Sequence, residues 1–235
     1  MATKPWYKEL GFFTNPFSIK PLAFHEELYG YNLREIFSKI NAGQVFFIEG
    51  EYGKGKTTIL KRIIREFGGG RKLIYYSCNR SEKDINFNSL IGGRWGALGK
   101  VLGIKGTNLI LLLDEAQDIT ESDANELKKL YKKHIKSIVL VGSSLNGSAK
   151  NGVDELVGEN LIRLDELSEE DAVKIIRKRI GGISLLSDDI IKKIFEKSER
   201  NPRRLLKNCE DICRHVINKG YKKVEEQHLS VIYQN

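Results

Sequence analysis

The stretch Gly50-Glu51-Tyr52-Gly53-Lys54-Gly55-Lys56-Thr57 fits the pattern G-x-x-x-x-G-K-[ST] at every position. Just before it, "QVFFIEG" from Gln44 to Gly50 is a short apolar run of aromatic and β-branched residues, which predicts a buried strand ending in glycine. Just after it, Thr57 to Phe67 reads as a helix. A glycine turn between strand and helix suits a phosphate group. The glycines let the backbone wrap so that successive N–H groups face the anion, and the helix adds its positive N-terminal end. Gly50, Glu51, Tyr52, Gly53, Lys54, Gly55, Lys56, Thr57 and Thr58 are therefore the candidate phosphate-binding residues. The Lys56 ammonium is expected on the β and γ phosphates, and the Thr57 hydroxyl on Mg²⁺.

Further along, "NLILLLDEAQ" from Asn108 to Gln117 is the most apolar strand of the chain, and it ends in Asp114-Glu115. Acids at the carboxyl edge of an open α/β sheet lie where ligands bind. Asp114 suits a metal held through water, and Glu115 suits a general base acting on an attacking water. "KSIVLVGSS" from Lys136 to Ser144 is another buried strand, ending in two hydroxyls, Ser143 and Ser144. One of them is placed either to contact a γ-phosphate or simply to turn the chain. Strands are also expected over Lys72–Asn79 and Asn160–Leu164, with helices over 29–40, 90–102 and 122–134. Alternating apolar strands and helices predict a mostly parallel sheet covered by helices on both faces. From Ser168 onward only helices are expected, beginning with acids in a first turn. The expected organisation is an N-terminal arm over 1–27 packed on the core, an α/β domain over 28–167 and a small all-helical domain over 168–235.

Among the 235 residues, 39 Lys and Arg stand against 31 Asp and Glu, a net charge of +8. This excess fits an anionic partner and equally fits a soluble, Lys-rich surface. Cys78, Cys209 and Cys213 are too few for a disulfide framework and point to a reducing compartment. Cys209 and Cys213 share a helical face and read as small core residues. No run of about 18 apolar residues predicts a membrane span, and Met1 to Asn15 lacks the apolar core of a signal peptide. The expected location is the cytoplasm, with no membrane insertion.

In order along the chain, "ELYGYNLREI", the glycine loop, "LLLDEAQ", "IVLVGSS" and "SERNPRRLL" resemble the motif set of the AAA+ P-loop ATPases. The likeness runs over roughly residues 6 to 232, on the initiator and clamp-loader side. "FTNPFSIKP" is similar to the N-terminal segment of secretion and transposition ATPases of this class. The resemblance implies an ATPase with a P-loop NTPase core and a helical lid, and ATP and Mg²⁺ as cofactors. It implies Lys56 and Thr57 on phosphate and metal, Asp114 in the metal shell and Glu115 as the base. It further implies Ser143 (or Ser144) as sensor 1, Arg203 as sensor 2 on the phosphates, and Tyr29 and Gly30 near the adenine. Asn79 falls where such proteins often carry a polar residue that restrains the catalytic acid.

The sequence departs from that pattern in two places. Between the sensor 1 strand and the lid the only basic residues are Lys150 and Arg163, and Arg163 lies inside a predicted strand, a poor position for an arginine finger. Isolated hydrolysis is then expected to be slow, or to need a partner's arginine. No winged-helix segment follows the lid in this sequence, which sets aside sequence-specific DNA binding as an expectation. GTP is disfavoured, because no Asn-Lys-x-Asp motif is present. Three basic clusters, Lys128–Lys136, Lys61–Arg65 and Arg177–Arg179, either track a nucleic-acid backbone without reading bases or form solvated helix faces. Gly92-Gly93-Arg94-Trp95 reads either as an exposed loop offering Trp95 to a partner or as core packing. The expected partners are ATP or ADP, further subunits joined through the nucleotide interface, and double- or single-stranded DNA. The alternatives are a regulatory ATPase of a protein assembly without nucleic acid, and an ATP-bound interaction module with little turnover.

Overall fold

The structure, a computed structural model, describes residues 5–19, 30–68, 72–78, 85–92, 107–145 and 152–234. The strands are β1 (Val45–Glu49), β2 (Leu73–Ser77), β3 (Leu109–Asp114), β4 (Ile135–Gly142) and β5 (Leu161–Arg163). The α-helices among the described residues are α1 (Trp6–Glu9), α2 (Leu33–Asn41), α3 (Lys56–Phe67), α4 (Phe87–Gly92), α5 (Glu121–Leu130), α6 (Val153–Val157), α7 (Glu169–Ile180), α8 (Asp188–Lys197) and α9 (Pro202–Asn218). The chain divides into two compact units. One comprises Tyr31–Tyr52 and Lys56–Leu164, and the other comprises Met1–Gly30, Gly53–Gly55 and Asp165–Asn235.

The first of these units is the α/β unit. Its five strands form one sheet in the order β2-β3-β4-β1-β5, and every pairing is parallel. A parallel sheet is covered on both faces, so its inner strands need apolar side chains at every position rather than at alternate ones. β3 accordingly buries all six residues and β4 all but Lys136. Each Leu or Ile so buried contributes about 1.5–3 kcal/mol, which makes these two strands the centre of the core. Because all strands run the same way, their carboxyl ends share one edge. Glu49 pairs with Gly142 and Arg163, and Asp114 pairs with Ser77 and Val141.

Local chemistry sets the helix limits. The helix expected from Tyr29 starts at Leu33, because the Asn32 side chain accepts the Glu35 N–H as N-cap. The helix expected to run to His134 ends at Leu130. Tyr131 takes an extended conformation, its hydroxyl donates to the Gly43 carbonyl at 2.5 Å, and Lys132 turns left-handed (φ 63°) to lead into β4. The helix expected over 90–102 is described only as α4, and its remainder lies outside the described residues, as do Asn79 and Trp95. The short helix α6 was not expected from the sequence.

The other unit is helical. Ser168, Ser187 and Asn201 cap α7, α8 and α9, and Pro202 occupies the first turn of α9, where its missing N–H costs nothing. Their buried faces carry Ile176, Ile191, Ile194, Phe195, Leu205 and Ile212. Cys209 and Cys213 are fully buried in the same face, where burial pushes both thiols up out of reach of ionisation. The N-terminal arm was expected on the α/β core, but its described part belongs to this helical unit. Trp6 stacks on Phe17, and the Arg179 guanidinium donates to the Pro16 and Ser18 carbonyls at 3.0 and 3.2 Å. Arg179 sits in a cluster that the sequence reads as either a nucleic-acid track or a solvated helix face, and in the structure its guanidinium anchors the arm. Among the described residues no helix is long and apolar enough to cross a membrane.

One buried carboxylate joins two segments of the α/β unit. Asp123, at the start of α5, is 1% exposed. It accepts from the Thr120 N–H and hydroxyl in a capping box, and from the Ile85 N–H at 2.7 Å. Asp123→Ala keeps the Thr120 cap but removes the carboxylate half of the capping box and strands the buried Ile85 N–H, and should destabilise the protein by about 1–3 kcal/mol in denaturant unfolding. An unchanged midpoint would show that these bonds hold nothing.

Candidate functional site

The carboxyl edge of the sheet gathers the chemistry. β1 runs into Gly50, whose close approach to Leu164, the residue after β5, leaves no room for a side chain. A Cβ there would stand 2.9 Å from Leu164 Cδ1. Gly53 and Gly55 take φ of +88° and +84°, a region that L side chains rarely adopt. α3 then begins at Lys56. The glycines of the pattern thus sit where the backbone requires them, and the first N–H groups of α3 lack partners within the helix by construction.

Lys56 is 8% exposed, and its ammonium donates to the Gly50 carbonyl at 2.7 Å and the Glu51 carbonyl at 3.2 Å. Burial pulls its pKa below the ordinary lysine value, and the charges of Glu115 and Asp114 oppose that pull. Thr57 is exposed and Thr58 half-buried in the first turn of α3. Glu51 and Tyr52 are exposed on the loop. In the helical unit, Lys54 pairs with Glu166 at 4.0 Å.

Asp114 ends β3 and is 7% exposed. Burial raises its pKa, while the Tyr75 hydroxyl at 3.1 Å and the Glu115 N–H at 3.0 Å favour the ionised form. Tyr75 is itself pushed up to about 12, first by burial and then by the neighbouring Asp114 charge. Tyr75 is a site residue that sequence reading missed. Its side chain reaches Asp114 only because β2 lies beside β3, which composition does not announce. Glu115 follows in the left-handed region (φ 53°, ψ 45°), opening a 3₁₀ turn over Ala116–Asp118. Its carboxylate accepts from Gln117 Nε2 at 2.8 Å. Ser143, just past β4, is exposed, and its backbone N–H donates to Gln117 Oε1 at 3.3 Å.

Within the helical unit, Gly53 lies against the start of α9. A Cβ on it would stand 2.5 Å from Asn201 Oδ1 and 3.0 Å from Arg203 Cβ. Gly30 (φ +78°) packs on Leu167 and Asp171. Tyr29 and Lys150 lie outside the described residues. Arg163, at the end of β5, is exposed and donates to Glu49 Oε2 at 3.1 Å, so this guanidinium is engaged within its own chain.

The residue types fit a phosphate: along one short stretch of chain two left-handed glycines are followed by a helix start and a lysine whose ammonium is buried. They also fit Mg²⁺. Among the described residues no three His, Cys, Asp or Glu form a metal cluster, so an ion beside Asp114 would take most of its ligands from substrate and water, as Mg²⁺ does.

A family model described as AAA domain matches residues 42–170, more than half of the chain. No curated protein matches in sequence. Several solved structures are similar. The ORC1 protein of Aeropyrum pernix in complex with DNA matches with a TM-score of 0.67 at 15% identity, over 86% of this chain and 63% of that one. Drosophila ORC bound to DNA matches with 0.67 at 13%, over 98% and 65%. The RuvB Holliday junction branch migration motor of Thermotoga maritima matches with 0.62 at 14%, over 86% and 68%. At these identities the likeness is one of fold, and the chain spans less than two thirds of each of the two ORC chains.

Gly53→Ala tests the loop geometry directly. It forces a side chain into a left-handed residue and against Asn201, and should cost about 1–3 kcal/mol, read as a lower thermal midpoint. An unaltered midpoint would reject the tight apposition of Gly53 and α9.

Proposed function

The chain belongs to the AAA domain family, and we propose from that premise that it binds ATP with Mg²⁺ and hydrolyses it as an oligomeric switch or loader in a DNA-associated process. The observation that carries this reading is the buried Lys56 ammonium at the foot of the glycine loop, within electrostatic reach of Asp114 and Glu115. Two of its three N–H donors are occupied by loop carbonyls. A β- or γ-phosphate oxygen is a better partner than either, so the ammonium turns to it when the loop closes on the nucleotide. The Thr57 hydroxyl and, through water, the Asp114 carboxylate would hold Mg²⁺, and the ion would supply positive charge to the transferring group.

Glu115 accepts a proton from a water whose oxygen bonds to the γ-phosphorus, while the bond from that phosphorus to the bridging oxygen of ADP breaks. The products are ADP and phosphate. Ser143, or Ser144, monitors the γ-phosphate from β4. Arg203, beside Gly53, adds a guanidinium for the phosphates. The adenine falls near Tyr29 and Gly30. With Arg163 paired to Glu49, the arginine that completes hydrolysis comes from another subunit or partner, and intrinsic turnover is slow.

The DNA association draws on the net charge of +8 and on the exposed Lys129, Lys132, Lys133 and Lys136, which suit a phosphate backbone read without sequence. The ORC structures described as bound to DNA supply the analogy.

Lys56→Ala should abolish ATP binding or nearly so in a titration with a fluorescent ATP analogue, and retained tight binding would undo the phosphate-loop assignment. Glu115→Gln should keep binding and stop hydrolysis, and wild-type turnover in that variant would reject Glu115 as the base. Steady-state hydrolysis, followed against protein concentration, should rise faster than linearly and rise again with double-stranded DNA. A rate strictly proportional to concentration and indifferent to DNA would remove both the oligomer and the DNA from the proposal.

A further inference from the structure

The proposed ATPase leaves Gln117 unused, yet its side-chain amide spans the two strand ends that carry the chemistry. Nε2 donates to Glu115 Oε2 at 2.8 Å, and Oε1 accepts the Ser143 N–H at 3.3 Å. The orientation of the amide follows from its partners. A backbone N–H only donates, so Oε1 must face Ser143, and Nε2 is then the group left for the carboxylate.

The approach is tight. A Cβ on Gly142 would stand 2.7 Å from Gln117 Oε1 and 2.8 Å from Phe47 Cζ, so only glycine lets the amide reach the end of β4. Glu115 itself sits at φ 53°, a conformation that non-glycine residues hold only where their surroundings over-determine it. A purely structural tie between these strands would be redundant, because β3 and β4 are already joined by backbone pairing up to Asp114 and Val141.

We propose that Gln117 is a positioning residue for the Glu115 carboxylate, coupling it to the end of β4 that carries Ser143. The inference rests on the ATPase reading. The amide holds Oε2 as an acceptor and leaves Oε1 to take the proton from water. Movement of Ser143 on contact with the γ-phosphate passes to the base through one neutral side chain. Glutamate at this position has no N–H for Glu115 and sets two like charges together.

Two measurements test the proposal. In nucleotide-free protein, the Gln117 side-chain NH₂ should exchange slowly with solvent by NMR, and Glu115→Ala should release it to fast exchange. In single-turnover ATP hydrolysis, Gln117→Ala should lower the rate about 10- to 100-fold, the range typical of residues that orient a reacting group from behind. Its ATP affinity and thermal midpoint should match the wild type, and Gln117→Glu should be at least as slow. Fast amide exchange in the wild type overturns the proposal. So does a Gln117→Ala rate equal to or above that of a wild type whose turnover Glu115→Gln abolishes. So too does a loss of rate accompanied by a fall in affinity and thermal midpoint, which marks a structural role. A wild type with no turnover at any protein concentration sinks the ATPase reading itself, and the inference with it.

Discussion

The parallel register of β4 between β1 and β3 is the constraint on which the rest depends. Glu49 lies opposite Gly142 and Asp114 opposite Val141, so three segments distant in sequence end at one edge. That edge receives the glycine loop from β1, the acids from β3 and the hydroxyl-bearing turn from β4. The register is carried by the backbone pairing of β3 with β4, which runs unbroken from Ile110 opposite Ser137 to Asp114 opposite Val141. The same alignment lets Glu49 accept from the Leu145 N–H and from Arg163, closing the edge with side chains of the sheet itself.

The site concentrates charge where desolvation is costly. Lys56 and Asp114 are each less than a tenth exposed, and burial moves their pKa values in opposite directions, each towards its neutral form. Their mutual attraction, the loop carbonyls around Lys56 and the Tyr75 hydroxyl on Asp114 offset that penalty. A polyanionic ligand with a cation answers both needs at once, since it offers the ammonium a stronger partner and the carboxylate a positive one. The same reasoning explains a glutamine rather than a second acid beside Glu115: a neutral amide orients a carboxylate without adding charge to a crowded edge.

Much of this was legible beforehand. "QVFFIEG", "NLILLLDEAQ" and "KSIVLVGSS" are apolar at successive positions because both faces of their sheet are covered, and that unbroken pattern identifies parallel strands without any structure. The glycine loop was legible because left-handed backbone admits few residue types. Less legible were the features set by neighbours. α5 stops at Leu130 because the Tyr131 hydroxyl reaches Gly43, and the arm joins the helical unit because Arg179 binds the Pro16 and Ser18 carbonyls. Tyr75 and Gln117 carry no local signal, since a tyrosine in a strand and a glutamine after one are ordinary residues until the strand order is known.

The sequence by itself determined the kinds of chemistry present: a glycine loop of the phosphate-binding pattern, an acid pair at a strand end and helices capped by Ser and Asn. Those features depend on residue type and short spacing, which local backbone sterics and capping translate directly into structure. The tertiary structure alone decided the company each residue keeps: which strands flank β1, that Arg163 is held by Glu49, and that Gln117 bridges Glu115 to Ser143. Such partnerships arise from the packing of segments far apart in the chain, and the free energy that selects one packing is a sum over the whole core, which no short stretch of sequence contains.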